Sequence, residues 1–450
     1  MTAAPGILAP DRRALTIGLI LTVTLVAFEA LAVSTIMPVV ALDLGGISLY
    51  GWAFSAFFLG NLVGIVHAGQ QVDRHGLARP FAIGLGLFAL GLCVGGTAPT
   101  MLILVGGRAI QGFGAGAIPT VAYVAIGRSY PEVSRPRMFA ALSTAWVIPG
   151  LIGPALAGLI AETVGWRFVF FGLIPVLVVG GLLTLPSLRP ITTRTFDGSG
   201  ATRNRLPDAI TIAVGAGLLL AAGGANAMTA LLLVVVGLAV GLPALRRLVP
   251  PGTLRARRGL PSTILIRGVA TFAFFGAEAY LPLALVSVRG TSVTEAGIAL
   301  TAATLSWTAG SWIQARQMAH WGAPRLIFLG FVCITVGTAG MATVLSPAMP
   351  VAAAIAAWAV GGLGMGLAYA PISMLVLSEA APGQQGSAMS GLQLSDVLGS
   401  ALGTGLGGAI IAFGKASGWE TATTIAVAFG VALVTAIGGI LLSRRLVPAG

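Results

Sequence analysis

Three carboxyl side chains lie deep inside long apolar stretches of the chain: those of Glu29, Glu278 and Asp396. A charged group surrounded by hydrocarbon is costly, so a carboxyl in such a place is expected to bind a proton or a cation, or to pair with another polar group. A low dielectric favours the neutral acid, and an acid exposed alternately to two aqueous compartments can bind and release protons near neutral pH. These residues are the candidate proton-coupling or cation-binding sites.

The depth of the three carboxyls gives an order among them. At 1.5 Å per residue, Glu29 lies ~22 Å and Glu278 ~24 Å from the start of its apolar stretch, whereas Asp396 lies ~15 Å in. Glu29 and Glu278 are both followed by alanine. We favour Glu29 as the proton or cation site and Glu278 as the second choice. A helix–helix hydrogen bond is the alternative role for Asp396.

Two arginines share these stretches. Arg108 lies well inside its stretch, where it is expected to face a partner or a water-filled cavity. It could modulate Glu29 or form a structural pair with it. Arg267 precedes Glu278 on nearly the same helical face, and its guanidinium is expected to extend to the nearer membrane surface.

Apolar stretches long enough to cross a bilayer fill the chain. Hydrophobic residues make up 56% of the 450 residues and charged residues 8%, and the mean hydropathy is +0.97. Soluble domains carry about 25% charged residues, and a spanning helix needs roughly 20 apolar residues. The pattern predicts an all-α integral membrane protein with fourteen spans, at residues 14–40, 48–71, 80–97, 99–128, 136–162, 165–187, 207–224, 227–245, 262–287, 294–315, 324–345, 350–377, 386–413 and 420–443.

The basic residues predict the orientation of these spans. With the N-terminus in the cytoplasm, 20 of the 25 Lys and Arg residues fall in cytoplasmic segments and three on the opposite side, which is the bias expected of cytoplasmic loops. Because these residues lie in short gaps between apolar stretches, the net charge of +12 does not indicate nucleic-acid binding. Both termini are expected in the cytoplasm. A twelve-span arrangement, in which residues 207–245 lie differently, keeps the same distribution.

Two arginine-rich linkers, at 189–206 and 246–261, bracket a two-helix hairpin. We therefore predict an N-terminal six-helix bundle at 1–188, a linker with two extra transmembrane helices at 189–261, and a C-terminal six-helix bundle at 262–450.

Short glycine-containing sequences recur in the two predicted bundles. The Gly-x-Gly-x-Gly pattern at 112–116 is repeated at 362–366, and Gly-x-x-Arg at 76–79 is repeated at 322–325. Duplicated halves around a site near the bilayer midplane are typical of secondary transporters.

The loop after the second span carries a spaced set of glycines and charges: Gly69, Asp73, Arg74, Gly76 and Arg79. Glycine permits a tight turn, and a carboxylate at such a junction can accept hydrogen bonds from a helix N-terminus. This spacing resembles the signature of the major facilitator superfamily between its second and third spans. The resemblance implies a conformational gate at this loop, which would hold the cytoplasmic side closed.

Two further motifs strengthen the resemblance. Arg108, Gln111 and Gly112 resemble the family's Arg-x-x-Gln-Gly motif, which is associated there with proton coupling. The fifth span resembles the antiporter motif of the drug-export branches, and the residues that carry it are Gly150, Gly153, Pro154 and Gly158. These motifs and the span count together resemble those of the 14-span drug:proton antiporters.

The resemblance implies a proton-coupled exporter of small amphipathic or lipophilic compounds that works by alternating access. It would be a monomer in a bacterial-type cytoplasmic (inner) membrane, with the proton as coupling ion, no cofactor or metal, and no enzymatic activity. Aromatic and polar side chains could line the substrate cavity by burial and cation–π contact. The candidates are Phe28, Tyr123, Trp146, Phe275, Tyr280, Trp307, Trp312, Tyr369 and Gln393.

Other functions remain open on the same fold. The cargo could be a dedicated metabolite or lipid, or the protein could take up a nutrient by symport. A membrane sensor or an enzyme that transports nothing is a second class of alternative, against which the motif around Arg108 counts.

Overall fold

The computed structural model describes residues 7–131, 134–191, 204–381 and 384–446. These residues form sixteen α-helices and, within the described ranges, no strand. The helices are α1 Arg13–Leu44, α2 Tyr50–His75, α3 Ala78–Thr97, α4 Met101–Ser129, α5 Arg135–Thr144, α6 Val147–Ile160, α7 Arg167–Phe171, α8 Leu173–Leu188, α9 Leu206–Ala221, α10 Ala227–Leu248, α11 Leu260–Glu278, α12 Leu281–Arg289, α13 Val293–Met341, α14 Val351–Glu379, α15 Gln385–Ala416 and α16 Thr421–Ser443.

Thirteen helical segments of the described chain are long and apolar enough to cross a membrane, which confirms the all-α membrane fold. The longest, Val293–Leu345, has 53 residues and would be ~80 Å long if straight, far more than the ~30 Å hydrocarbon core. It is interrupted at Gly322, whose φ of 69° and ψ of 161° are not helical. The count of fourteen spans stays a prediction.

Three predicted spans are broken where the sequence indicated one helix each. The span predicted at 136–162 is divided into α5 and α6, and Pro149 lies in the first turn of α6. The span at 262–287 is divided into α11 and α12, and Pro282 lies in the first turn of α12. Proline lacks an N–H group and is tolerated in a first helical turn but not in a helix interior, so it favours a new helix start. The third break separates α7 from α8 at Gly172.

The repeated glycine motifs adopt the same backbone in both halves of the chain. Gly76 has φ 75° and ψ −171° in the turn between α2 and α3, and Gly322 has nearly the same angles inside α13. This region of backbone space is essentially restricted to glycine. The two turns are therefore equivalent.

Helix contacts repeat in the same way. A Cβ atom added to Gly112 would lie 2.0 Å from the backbone oxygen of Phe57, and one added to Gly362 would lie 2.1 Å from that of Ala303. No side chain fits at such distances, so glycine permits α4 to approach α2 and α14 to approach α13 in the same register.

One end of the bundle contains the loops that follow α1, α3, α6 and α12, and we call it the outer end after the predicted orientation. Arg167, which follows α6, holds the ends of α1 and α3 together, because its guanidinium contacts Asp43 at 2.9 Å and donates to the backbone oxygen of Ala98 at 3.3 Å. The opposite, inner end contains the first and last described residues.

The two halves of the chain meet through small residues near the outer end. A Cβ atom on Gly51 of α2 would lie 2.4 Å from the Cα atom of Gly408 of α15, and one on Gly158 of α6 would lie 2.8 Å from the Cα atom of Thr294 of α13. Backbone contact of this kind is how membrane helices pack without a hydrophobic driving force between them.

The hairpin of α9 and α10 covers the contact between α2 and α15. Ile212 of α9 belongs to one buried cluster with Leu62 and Leu394. The inner ends of the hairpin are joined by Arg247 and Asp208, 3.2 Å apart. The division of the chain into three parts at residues 188 and 261 stays a prediction.

Candidate functional site

Glu29 and Arg108 form a buried ion pair in the first half. Their side chains are 0% and 2% exposed, and Arg108 Nη1 donates to Glu29 Oε1. The same arginine donates to Gln111 Oε1 at 2.6 Å and, through Nε, to the backbone oxygen of Ala53 at 3.1 Å. Its guanidinium also lies 4.2 Å from the centre of the Phe57 ring. Arg108 is thus well satisfied, and the sequence-predicted pair is in place.

Glu278 has a different environment at the end of α11. It is 8% exposed, and within the described residues no ion pair joins it to a cation. The indole of Trp358 is a polar neighbour of its carboxyl, although the N–H lies outside hydrogen-bond geometry. Trp358 is itself fully buried and stacks on Phe274, with ring centres 4.7 Å apart.

The repeat relates these two carboxyl sites. Arg108 comes four residues before Gly112, and Trp358 comes four residues before Gly362, the glycine in the equivalent helix contact. The second half therefore carries tryptophan where the first half carries the arginine that neutralises Glu29. Trp358 was not among the sequence candidates, but its distance from the glycine motif could have identified it.

Asp396 belongs to a third polar cluster, nearer the inner end. Its carboxylate accepts a hydrogen bond from the Tyr369 hydroxyl at 2.7 Å. The guanidinium of Arg267 stacks 3.5 Å from the centre of the Tyr369 ring and donates to the Ser373 hydroxyl. Arg267 is 2% exposed, so it does not extend to the membrane surface as the sequence predicted. Its partners on α14 lie about a hundred residues away along the chain, where sequence spacing cannot reveal them.

A run of aromatic rings connects the second and third clusters. Trp307 lies 5.5 Å from Phe274 and 5.4 Å from Tyr369, and Phe275 lies 6.4 Å from Trp307. Three of the predicted lining residues, Phe275, Trp307 and Tyr369, are therefore brought together on one wall.

The remaining predicted lining residues are spread over the molecule. Phe28 lies against Gly153 of α6. Tyr123 is within electrostatic range of Tyr369 of the second half. Tyr280 is fully buried, and its hydroxyl donates to the backbone oxygen of Thr404. The structure leaves three others exposed or partly exposed and outside the aromatic run: Trp146, Trp312 and Gln393.

The predicted gate loop is a tight turn at the inner end. Gly76 has the positive φ noted above, and the side chains of Arg74 and Arg79 are exposed. Gly69 lies in α2 with open space where a Cβ atom would lie. The side chain of Asp73 lies outside the described part of the structure.

The predicted antiporter motif forms a contact between the halves. A Cβ atom on Gly150 would lie 2.0 Å from the Thr304 methyl group of α13, and Gly158 packs on Thr294 as described above. A Cβ atom on Gly297 of α13 would lie 2.5 Å from the backbone oxygen of Pro154. All four small residues of the motif therefore lie in helix contacts, three of them between α6 and α13.

Glu162, at the outer end of this motif helix, caps a helix of the other half. Its carboxylate accepts from the Thr294 backbone N–H at 3.0 Å and from the Thr294 hydroxyl at 2.8 Å. A negative charge at a helix N-terminus is stabilising. No sequence pattern predicts this contact, because it joins residues 132 positions apart in the chain.

Relatives of the chain include efflux proteins. It is 25% identical over 434 residues to a probable multidrug-efflux transporter of Mycobacterium tuberculosis, covering 91% of this chain and 90% of that protein. It is 26% identical over 421 residues to the multidrug transporter protein MdtP of Bacillus subtilis, covering 89% of this chain and 75% of that protein.

Solved transporter structures share the fold. A D-xylose-proton symporter superposes with a TM-score of 0.69 at 13% identity, over 97% of this chain and 98% of the other. The POT family transporter PepTSo gives a TM-score of 0.69 at 14% identity, over 96% of this chain and 98% of the other. The family model described as Major Facilitator Superfamily matches residues 19–380, and the chain therefore belongs to this superfamily of membrane transporters.

Proposed function

We propose that this transporter exports small amphipathic or lipophilic compounds in exchange for protons, by alternating access. The efflux activity named for its relatives supports the direction and the cargo class. The single observation that carries the coupling mechanism is Glu278, a buried carboxyl with no cationic partner in the described chain, set beside Trp358 and the aromatic wall.

The contacts favour Glu278 over Glu29 as the exchanging carboxyl. A proton or a cationic substrate that binds Glu29 must displace Arg108, which is buried and would be left uncompensated. At Glu278 no cation of the described chain has to be displaced. A proton or a cation would satisfy the acid, and the neighbouring rings would stabilise a cation.

Alternating access is supported by the way the halves touch. Their closest contacts are small-residue crossings near the outer end, at Gly51 with Gly408 and at Gly158 with Thr294. Rocking about such contacts would open the outer end and close the inner end, where the loop containing Gly76 would act as the gate. We also propose that the termini and this loop face the cytoplasm of a bacterial cell.

Ethidium uptake into everted membrane vesicles tests the proposal. Wild type, Glu29→Gln, Glu278→Gln and Asp396→Asn are compared at equal protein amount, with and without an imposed proton gradient. We expect gradient-driven uptake by wild type and none by Glu278→Gln. Undiminished coupled uptake by Glu278→Gln would move the coupling role to Glu29 or Asp396.

The same assay separates the cargo alternatives. If wild type moves neither ethidium nor any other compound of a broad amphiphile panel, multidrug export is wrong and a dedicated metabolite, lipid or nutrient becomes the candidate cargo. Uptake that ignores the gradient would exclude proton coupling.

A further inference from the structure

Arg267 has unused hydrogen-bonding capacity at a buried position. Its Nη2 donates to Ser373, but Nε and Nη1 are buried and have no hydrogen-bond partner among the described residues. Buried guanidinium donors without acceptors are costly. The other buried intramembrane arginine, Arg108, uses Nε on a backbone oxygen and Nη1 on a carboxylate.

The charge of Arg267 is also only indirectly balanced. Asp396 is the acid that acts on it electrostatically, but within the described residues the two do not form an ion pair. The Tyr369 ring lies against the guanidinium, and the Tyr369 hydroxyl donates a hydrogen bond to the Asp396 carboxylate. The cluster thus holds a cation with two donor nitrogens, Nε and Nη1, that have no acceptor in the described part of the chain.

The nitrogens of this guanidinium are buried, but the side chains around it are partly open to a ligand. Tyr369, Ser373 and Asp396 are each partly exposed. Tyr123 of the first half lies within electrostatic range of Tyr369, so the cluster faces the region between the halves. Trp307 extends the same wall away from the arginine, 5.4 Å from Tyr369.

We propose that Arg267 is a binding site for the carboxylate of an amphipathic substrate, whose apolar body lies along the aromatic wall. A carboxylate binds the planar guanidinium through two parallel hydrogen bonds, from Nη2 together with either Nε or Nη1. The contact with Ser373 uses one of the two N–H groups of Nη2, so the other N–H and its neighbouring nitrogen form the donor pair for the ligand. The cargo would then include lipophilic acids and zwitterions as well as cations. This inference rests on the proposed export function in one respect: the transport pathway brings such a ligand to the site.

The negative charge of Asp396 would weaken carboxylate binding in this arrangement. A bound carboxylate and an ionised Asp396 would share one guanidinium, and the two negative charges would repel each other. Removing the charge of Asp396 is therefore expected to strengthen carboxylate binding, whereas removing that of Arg267 weakens it. A merely structural role of Arg267 does not predict opposite effects.

Binding is measured without transport, so that this inference and the export function can fail separately. The probe is 11-(dansylamino)undecanoic acid, and its neutral methyl ester is the matched control. Both are titrated by fluorescence against the purified full-length protein in a non-ionic detergent. We expect wild type to bind the acid about tenfold or more tightly than the ester, as for hydrogen bonds to a charged group.

The variants are Arg267→Gln, Arg267→Lys and Asp396→Asn. Arg267→Gln should lower the affinity for the acid to that for the ester. Arg267→Lys should retain part of the preference for the acid over the ester, and Asp396→Asn should increase that preference. In each variant, binding of the ester should change less than binding of the acid. If Arg267→Gln fails to fold, the Lys and Asn variants still decide. Equal wild-type affinities for acid and ester, or weaker acid binding by Asp396→Asn, would overturn the proposal.

Discussion

At the scale of single residues, the two halves treat equivalent acids differently. Glu29 is neutralised by Arg108, while Glu278 faces Trp358. An ion pair holds two helices together, whereas an acid without an ion-pair partner can bind and release a proton or a cation. The same frame of glycine contacts thus carries an ion-paired acid in one half and, in the described chain, an acid without an ion pair in the other.

The structural role of Glu29 predicts a loss of stability. Glu29→Gln leaves Arg108 as a buried charge without a counter-ion, and breaking such a pair costs about 3–5 kcal/mol. We expect a clearly lower midpoint of thermal unfolding in detergent for this variant. Glu278→Gln, which strands no cation, should unfold at or above the wild-type temperature.

A double-mutant cycle controls this prediction. Glu29→Gln combined with Arg108→Gln removes both charges, so part of the stability should return. Equal unfolding temperatures for wild type and Glu29→Gln would show that the pair contributes nothing to the fold.

The repeat also predicts how the exchange site can be disabled. Trp358→Arg would give Glu278 the neighbour that Glu29 has in the first half. A guanidinium there would compete with protons and cationic substrates, so we expect gradient-driven ethidium uptake to fall to the background of empty vesicles. Trp358→Phe keeps an apolar ring and should retain most of the uptake. Wild-type uptake by Trp358→Arg would contradict the exchange role of Glu278.

At the scale of helices, the sequence predicts more about where glycine is needed than about where helices break. The Gly76 and Gly322 motifs are recognisable in the sequence as a repeat. Glycine is required at both positions, because its backbone angles there are essentially restricted to glycine. The breaks before α6 and α12 were missed because a proline also occurs inside long membrane helices, as Pro119 does in α4. The environment of Arg267 was missed because its neighbours come from another helix.

Gly322 gives a test at this scale. Alanine is strained at φ 69° and ψ 161°, so Gly322→Ala should destabilise the protein by about 1–3 kcal/mol. Gly86→Ala is the matched control, because Gly86 is helical and has open space where a Cβ atom would lie. It should gain about 0.5–1 kcal/mol from helix propensity. Thermal unfolding of both variants in detergent decides, and an unaffected Gly322→Ala would show that the turn is not required.

At the scale of the whole molecule, alternating access requires the outer-end contacts to open. The contact of α6 with α13 is built from the antiporter motif and closed at its end by Glu162 on Thr294. Under the proposed alternating access, this arrangement would link the motif to the movement of the halves, because its residues set the distance between two helices that would have to separate. A covalent link across this contact is therefore expected to stop transport.

Gly150 and Thr304 provide the place for such a link. A Cβ atom on Gly150 would lie 3.1 Å from the Thr304 Cβ atom, about half an ångström closer than the ~3.5–4.5 Å of a disulfide. Replacing threonine by cysteine removes the methyl group that would otherwise clash. We expect Gly150→Cys with Thr304→Cys to oxidise to a disulfide in a background in which Cys93 and Cys333 are replaced by serine. Ethidium uptake should then be lost on oxidation and restored by a thiol reductant, while Thr304→Cys alone responds to neither. Mass spectrometry measures the cross-linked fraction, and undiminished uptake by fully cross-linked protein would mean that these helices need not part during transport.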